Sequence, residues 1–82
     1  MFQAHIVNIS DKVLYDGQAD SVMMPGVEGE FEVVDHHGPV AALLAAGALT
    51  VLPEMKKKNY KTFVIEQGVM RFDGKELFAI VE

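Results

Sequence analysis

Turn-forming residues recur along this chain so closely that no long helix fits convincingly between them. Asp16 and Gly17, Pro25 and Gly26, Gly29, Gly38 and Pro39, Gly47, Pro53, and Asp73 and Gly74 divide its 82 residues into short segments. Within the segments the pattern is that of strands. Glu30, Phe31, Glu32 and Val33 alternate with the two-residue period that turns one side chain to a core and the next to water. Residues 2–9 mix apolar and polar side chains without helical spacing and close on the turn signal Ser10 and Asp11, so they are predicted to form a strand. Residues 12–15 read as a second. Asp16 and Gly17 are predicted to make a two-residue hairpin turn, because both central positions of such a turn favour positive φ. Residues 19–24 would then return antiparallel and stop at Pro25 and Gly26.

In the second half, local propensity and context disagree over residues 40–46, which are rich in Ala and Leu. Those residues favour helix, but Pro39 and Gly47 leave too few of them for a stable one, so packing is expected to draw the segment into a strand. Residues 49–52 read as strand and end at Pro53. Lys56, Lys57, Lys58 and Asn59 form a solvated hairpin tip before residues 60–65. A two-residue turn at Asp73 and Gly74 would set Phe72 opposite Lys75, Arg71 opposite Glu76, Met70 opposite Leu77 and Val69 opposite Phe78. That register matches charge with opposite charge and apolar with apolar. Short strands with this punctuation define an all-β class, a sandwich or flattened barrel of antiparallel strands, filling residues 1–82 as one domain.

Several functions are excluded or disfavoured by composition. A formal charge of −5, with Lys56 to Lys58 the one basic cluster, argues against nucleic acid, whose phosphates need clustered Lys and Arg. The absence of cysteine removes disulfides and thiolate chemistry. No apolar run approaches the ~20 residues that cross a bilayer. His5 and Asn8 interrupt the opening apolar residues, unlike a signal peptide. The expectation is a soluble cytoplasmic protein that meets a membrane only through a partner.

The remaining motifs carry little chemistry. His5, His36 and His37 fall short of a closed zinc site, and adjacent His36 and His37 point apart in extended chain. Glu28, Glu30 and Glu32 lack the paired, unlike environments of an acid and a base, so no catalytic residue is assigned. The glycines at 26 and 29 resemble a phosphate cradle, but no helix or lysine follows and the glutamates would repel phosphate. No cofactor is expected. What the stretch from Gly26 to Val33 does offer is a turn and a strand with acidic residues on one face, ending in the corner His36, His37, Gly38, Pro39. This acidic rim is the leading functional surface.

The same residues carry a resemblance. Leu14, Tyr15, Asp16 and Gly17, then Val27 to Glu30, then His37, Gly38 and Pro39, then Leu43 and Gly47 resemble, in order and spacing, the amino-terminal domain of the epsilon subunit of rotary ATP synthases. Glu32 stands where that family usually has Gly, and Asp35 where it usually has Pro. The resemblance implies the same β-sandwich and a non-catalytic role in the central stalk, on the cytoplasmic side of the membrane. There the domain would clamp the gamma subunit to the polar loops of the c-ring. It also implies that Glu28, Gly29 and Glu30 face the ring and that Ser10, His37, Ala42 and Glu66 lie toward gamma. The family usually adds a pair of carboxy-terminal helices where this chain stops. A chain without them, whether naturally short or cut at the boundary, is expected to couple the motor without braking it and to bind no ATP itself. An alternative is a biotinyl or lipoyl carrier domain, all-β and of similar length, with Lys56 as the modified lysine at a hairpin tip after Glu54 and Met55.

Overall fold

Nine strands and no helix make up the computed structural model, which describes residues 1–82. They are β1 (Phe2–Asn8), β2 (Val13–Ala19), β3 (Ser21–Gly26), β4 (Gly29–Val34), β5 (Val40–Leu44), β6 (Gly47–Leu52), β7 (Lys61–Ile65), β8 (Gly68–Phe72) and β9 (Glu76–Val81). Alternation decides what each strand buries. Phe2, Ala4 and Ile6 of β1, and Leu77, Ala79 and Val81 of β9, point inward and are buried, while their neighbours face out. Two layers result. Sheet I runs β2-β1-β9-β8-β5 and sheet II runs β4-β3-β6-β7, joined through the single bridge of Gly26 to Leu44. Between them lies a core of 16 buried residues, with Phe2 set edge-on to Phe72 at 5.3 Å. No buried side-chain nitrogen or oxygen lacks a hydrogen-bond partner.

The strands all run between two ends. One end carries the short turns at residues 9–12, 27–28, 45–46 and 66–67 together with Glu82. The other carries Asp20 and the loops 35–39, 53–60 and 73–75. The Ala-Leu segment is strand β5, so packing against β8 overrides its helical propensity.

Asp16 and Gly17 do not turn the chain. They lie within β2, opposite His5 and Ala4. Gly17 sits in the strand under the Tyr15 ring, and a Cβ there would meet that ring's atoms at 3.5–3.8 Å. Asp16 faces outward with its carboxylate 2.9 Å from His5 Nδ1. The reversal comes earlier, at residues 9–12, where Asp11 takes φ 69° and the Asn8 side chain accepts from the Ser10 amide. Asp and Asn tolerate that left-handed region, so a turn without glycine was available upstream.

Pro25 and Gly26 likewise continue β3 instead of ending it. Val27 and Glu28 form the tip, and Gly29 supplies the positive φ at 128°. Gly26 is needed for space, since a Cβ there would stand 2.6 Å from the Gly29 carbonyl oxygen and 2.8 Å from the Phe31 ring. The corner after β4 turns on His36, at φ 67°, with the His37 amide donating to the Val34 carbonyl at 3.1 Å.

The β8–β9 hairpin forms, with its register shifted from the expected one. Phe72 pairs with Leu77, Arg71 with Phe78, Met70 with Ala79 and Val69 with Ile80. Asp73 causes the shift. Its carboxylate accepts from the amides of Lys75 at 2.9 Å and Glu76 at 2.8 Å, and its own amide donates to the Glu76 carbonyl. Gly74, at φ 103°, and Lys75 therefore form the tip. The shift moves each partner by two residues and so keeps every side chain on its face. Arg71 loses the expected glutamate and lies over the Phe78 ring at 5.2 Å.

Candidate docking surfaces

Strand register lines up one apolar row across the outer face of sheet I. Val13 pairs with Val7, Val7 with Ile80, Ile80 with Val69, and Val69 with Leu43. Exposure is 58% at Val13, 50% at Ile80, 48% at Val69 and 63% at Leu43, so the row is bare rather than covered. Ile9 and Val27 extend it at the short-turn end, where they rim a groove of about 390 Å³. A connected apolar strip of this kind marks an interaction surface, because single exposed apolar residues are ordinary but rows of them are not.

The next row toward the long-loop end is polar and braced. His5 stacks on Phe78 at 5.0 Å between Asp16 and, more distantly, Glu76 at 3.8 Å, while Arg71 lies over the same ring. Tyr15 packs toward the core and donates its hydroxyl to the Gln18 carbonyl; burial pushes its ionisation above the ordinary phenol value.

The expected ring-facing residues gather at the short-turn end. Glu28 stands exposed at the β3–β4 tip, Gly29 follows in its left-handed conformation, and Glu30 and Glu32 occupy the outer face of β4. A Cβ on Gly29 would meet nothing within 4 Å, so the backbone there is open to close approach. The four residues assigned toward gamma are not gathered. Ser10 and Glu66 come to either side of the end of β9, since the Ile9 amide donates to the Val81 carbonyl and the Glu66 amide to the Glu82 carbonyl. His37 lies at the opposite end, its ring 6.3 Å from Phe72 and its Nδ1 2.7 Å from the Gly38 carbonyl oxygen. Ala42 turns toward the core side of β5, and the outward positions of that strand belong to Ala41 and Leu43.

Lys56 belongs to a broad loop, not a tight tip. Residues 53–60 connect β6 to β7, anchored where the Met55 amide donates to the Asp20 carboxylate at 2.7 Å and where Lys57 faces Glu54 at 3.4 Å. A carrier domain presents its single lysine on a tight tip, and this loop does not reproduce that geometry.

Sequence pattern alone did not single out the apolar row of sheet I. A signal was present in residues 77–81, Leu-Phe-Ala-Ile-Val, and in paired residues such as Leu43 and Leu44. Strands apolar in both phases are strands that expect cover on both faces.

A β-sandwich with one bare apolar row on a sheet face and an acidic rim beside it has the build of a docking module. The chain belongs to the ATP synthase delta/epsilon chain β-sandwich domain family, whose pattern it matches over residues 1–82. It is 39% identical over 70 residues to the ATP synthase epsilon chain of Sulfurimonas denitrificans, covering 85% of this chain and 52% of that one. Against the ATP synthase epsilon chain of Rhodopseudomonas palustris strain BisB18 it is 44% identical over 81 residues, covering 99% and 57%. The chain thus spans about half the length of these relatives. Among solved structures, its fold matches a chain of the Euglena gracilis mitochondrial ATP synthase OSCP/F1/c-ring assembly. The TM-score is 0.86 at 18% identity, covering 98% of this chain and 49% of that one. A chain of the Tetrahymena thermophila central stalk/c-ring structure gives 0.77 at 12% identity, covering 98% and 62%.

Proposed function

We propose that this domain is the epsilon-type coupling module of a rotary ATP synthase, holding the gamma subunit to the c-ring so that rotation passes between them. It works on the cytoplasmic side of the membrane as a non-catalytic subunit. The observation that carries this reading is the apolar row of sheet I, which ends beside the acidic rim of Glu28, Gly29 and Glu30. Gamma docks on the row, flanked by Ser10 and Glu66. The polar loops of the ring meet the rim, where a basic side chain finds Glu28 and Glu30. His37 and Ala42, away from the row, are secondary contacts through the loop end and the β5 edge.

The division of labour follows from magnitudes. Burying one exposed Ile or Leu contributes roughly 1.5–3 kcal/mol, whereas an exposed ion pair contributes roughly 0–1 kcal/mol. Affinity therefore resides in the row, and the rim sets orientation and register on the ring. Torque transmission needs a body that does not yield, and a paired two-layer sandwich with a packed core meets that requirement.

The test is assembly with purified gamma, followed by ATP-driven proton pumping in reconstituted complex. Ile80→Glu is expected to weaken capture of gamma by roughly ten- to a hundredfold while the domain stays folded. Glu30→Lys is expected to keep gamma and weaken pumping. Capture of gamma by the Ile80→Glu domain at unchanged affinity would overturn the assignment of the row.

A further inference from the structure

Sheets guard their edges against pairing with other chains, usually by charge, proline or a bulge. Three of the four outer strands here do so. β2 carries the bulge opposite Ile6 and Val7 and the carboxylate of Asp16. β4 alternates Glu30 and Glu32, and β7 begins at Lys61 behind the lysines of the 53–60 loop. β5 is unguarded: Val-Ala-Ala-Leu-Leu, with no charge, no proline and no bulge against β8.

The direction of its backbone groups is fixed by two bonds. The Leu43 carbonyl accepts from the Val27 amide at 3.0 Å, and the Ala45 amide donates to the Pro25 carbonyl at 2.7 Å, so Leu43 and Ala45 point away from β8. Alternation places Ala41 with them, while Val40, Ala42 and Leu44 bond toward β8. Past its single bridge to β3, β5 has no strand on that side. The N–H and C=O of Ala41 and the N–H of Leu43 therefore have no backbone partner. They open onto a groove of about 540 Å³ between β5 and the β3–β4 hairpin. Half-buried Phe31, Val40 and Ala42 line it, and Glu28 and Glu30 stand at its mouth.

We propose that the free edge of β5 is a strand-acceptor site for an extended, basic segment of another protein. The segment adds to sheet I through main-chain bonds to Ala41 and Leu43. It turns small or β-branched side chains onto Phe31, Val40 and Ala42, and sets a Lys or Arg against Glu28 and Glu30. Strand addition of this kind takes affinity from the backbone and specificity from alternate side chains. A second copy of the chain fits poorly, because edge-to-edge pairing would bring one Glu28 and Glu30 rim against another. The site shares Leu43 with the apolar row and Glu28 and Glu30 with the rim, but it engages the β5 main chain, so peptide binding to the isolated domain tests it apart from the coupling role.

Amide NMR and hydrogen exchange on the 15N-labelled domain provide the test, with an acetylated, amidated Val-Lys-Val-Ala-Val-Lys-Val peptide as probe. In the free domain, Ala41 and Leu43 amides should exchange fast beside protected Ala42 and Leu44. With peptide, Ala41 and Leu43 should become protected and show cross-strand contacts to it. Glu30→Lys should weaken the peptide about tenfold in a domain that keeps its spectrum. Ala41→Pro, which removes a groove-facing N–H and none that bonds to β8, should abolish binding. Any of four results overturns the proposal: Ala41 already protected without peptide, protection at β7 instead of β5, equal binding of a peptide with Glu in place of Lys, or dimerisation of the free domain through β5.

Discussion

The two sheets cover the same core yet carry unlike central rows on their outer faces, even though Val64 of sheet II is itself 87% exposed. Sheet I shows Val7, Val13, Ile80, Val69 and Leu43 in one cross-strand row, whereas the corresponding face of sheet II shows Glu32, Met23, Thr50 and Thr62 across β4, β3, β6 and β7. The two threonine hydroxyls lie 3.2 Å apart, a cross-strand pair that needs no partner beyond water. The core needs only the inward residues of each strand, so it cannot explain the row. What the difference teaches is that sheet I carries apolar residues in excess of folding, and the excess is the signature of docking.

Four measurements can break or sharpen that contrast. The largest effect belongs to neither outer face. Phe72 is buried in contact with Phe2, and Phe72→Ala is expected to cost roughly 3–5 kcal/mol in chemical denaturation, lowering both sheets in one transition. Separate transitions for β1 and β6 amides would show that the layers do not share a core. Next comes a matched pair, Ile80→Glu and Thr62→Glu. The first should lose roughly 1.5–3 kcal/mol of gamma affinity by titration calorimetry and the second nothing measurable, with both folded. Equal losses would erase the distinction between the faces. Third, Glu30→Lys should leave thermal unfolding within about 0.5 kcal/mol of the parent, as for an exposed position. Proton pumping by the assembled enzyme should fall.

The smallest effect is an acid limb. The amides of Glu76 and Lys75 hold the Asp73 carboxyl below its usual range. A carboxylate depressed in the folded state contributes stability that is fully present above its unfolded value of about 3.9 and is lost as pH falls through the lower folded value. Asp73→Ala should flatten stability between about pH 4 and the acid transition. An unchanged slope would mean the turn does not depend on that carboxylate.

The architecture was legible because turn residues and two-residue alternation are local signals. The β8–β9 hairpin was legible in outline for the same reason. Its register escaped because the Asp73 side chain competes for the turn, and an Asx bond is invisible to a pairing scheme based on charge matching. Asp16 and Gly17 misled because the dipeptide permits a turn without requiring one, and the His5 contact and the Tyr15 ring hold it in strand. The acidic rim could be found as a run of glutamates in alternation. The apolar row could not be assembled from sequence, because its five members come from five strands and meet only through register.

Within the domain, β1 is clasped by β9. β1 pairs in parallel with β9, and Gln3 faces Glu76 about seventy positions further on, a separation typical of slow, non-local closure. During synthesis β1 and β2 can form a hairpin early, but their sheet has no third strand until residues 76–81 have left the ribosome. A hairpin of two strands is marginal in water, so the first two strands must wait, exposed, for β9 to arrive. Timing is thus built into the topology: the domain becomes a rigid body only once β9 has paired, and that pairing also completes the apolar row by adding Ile80.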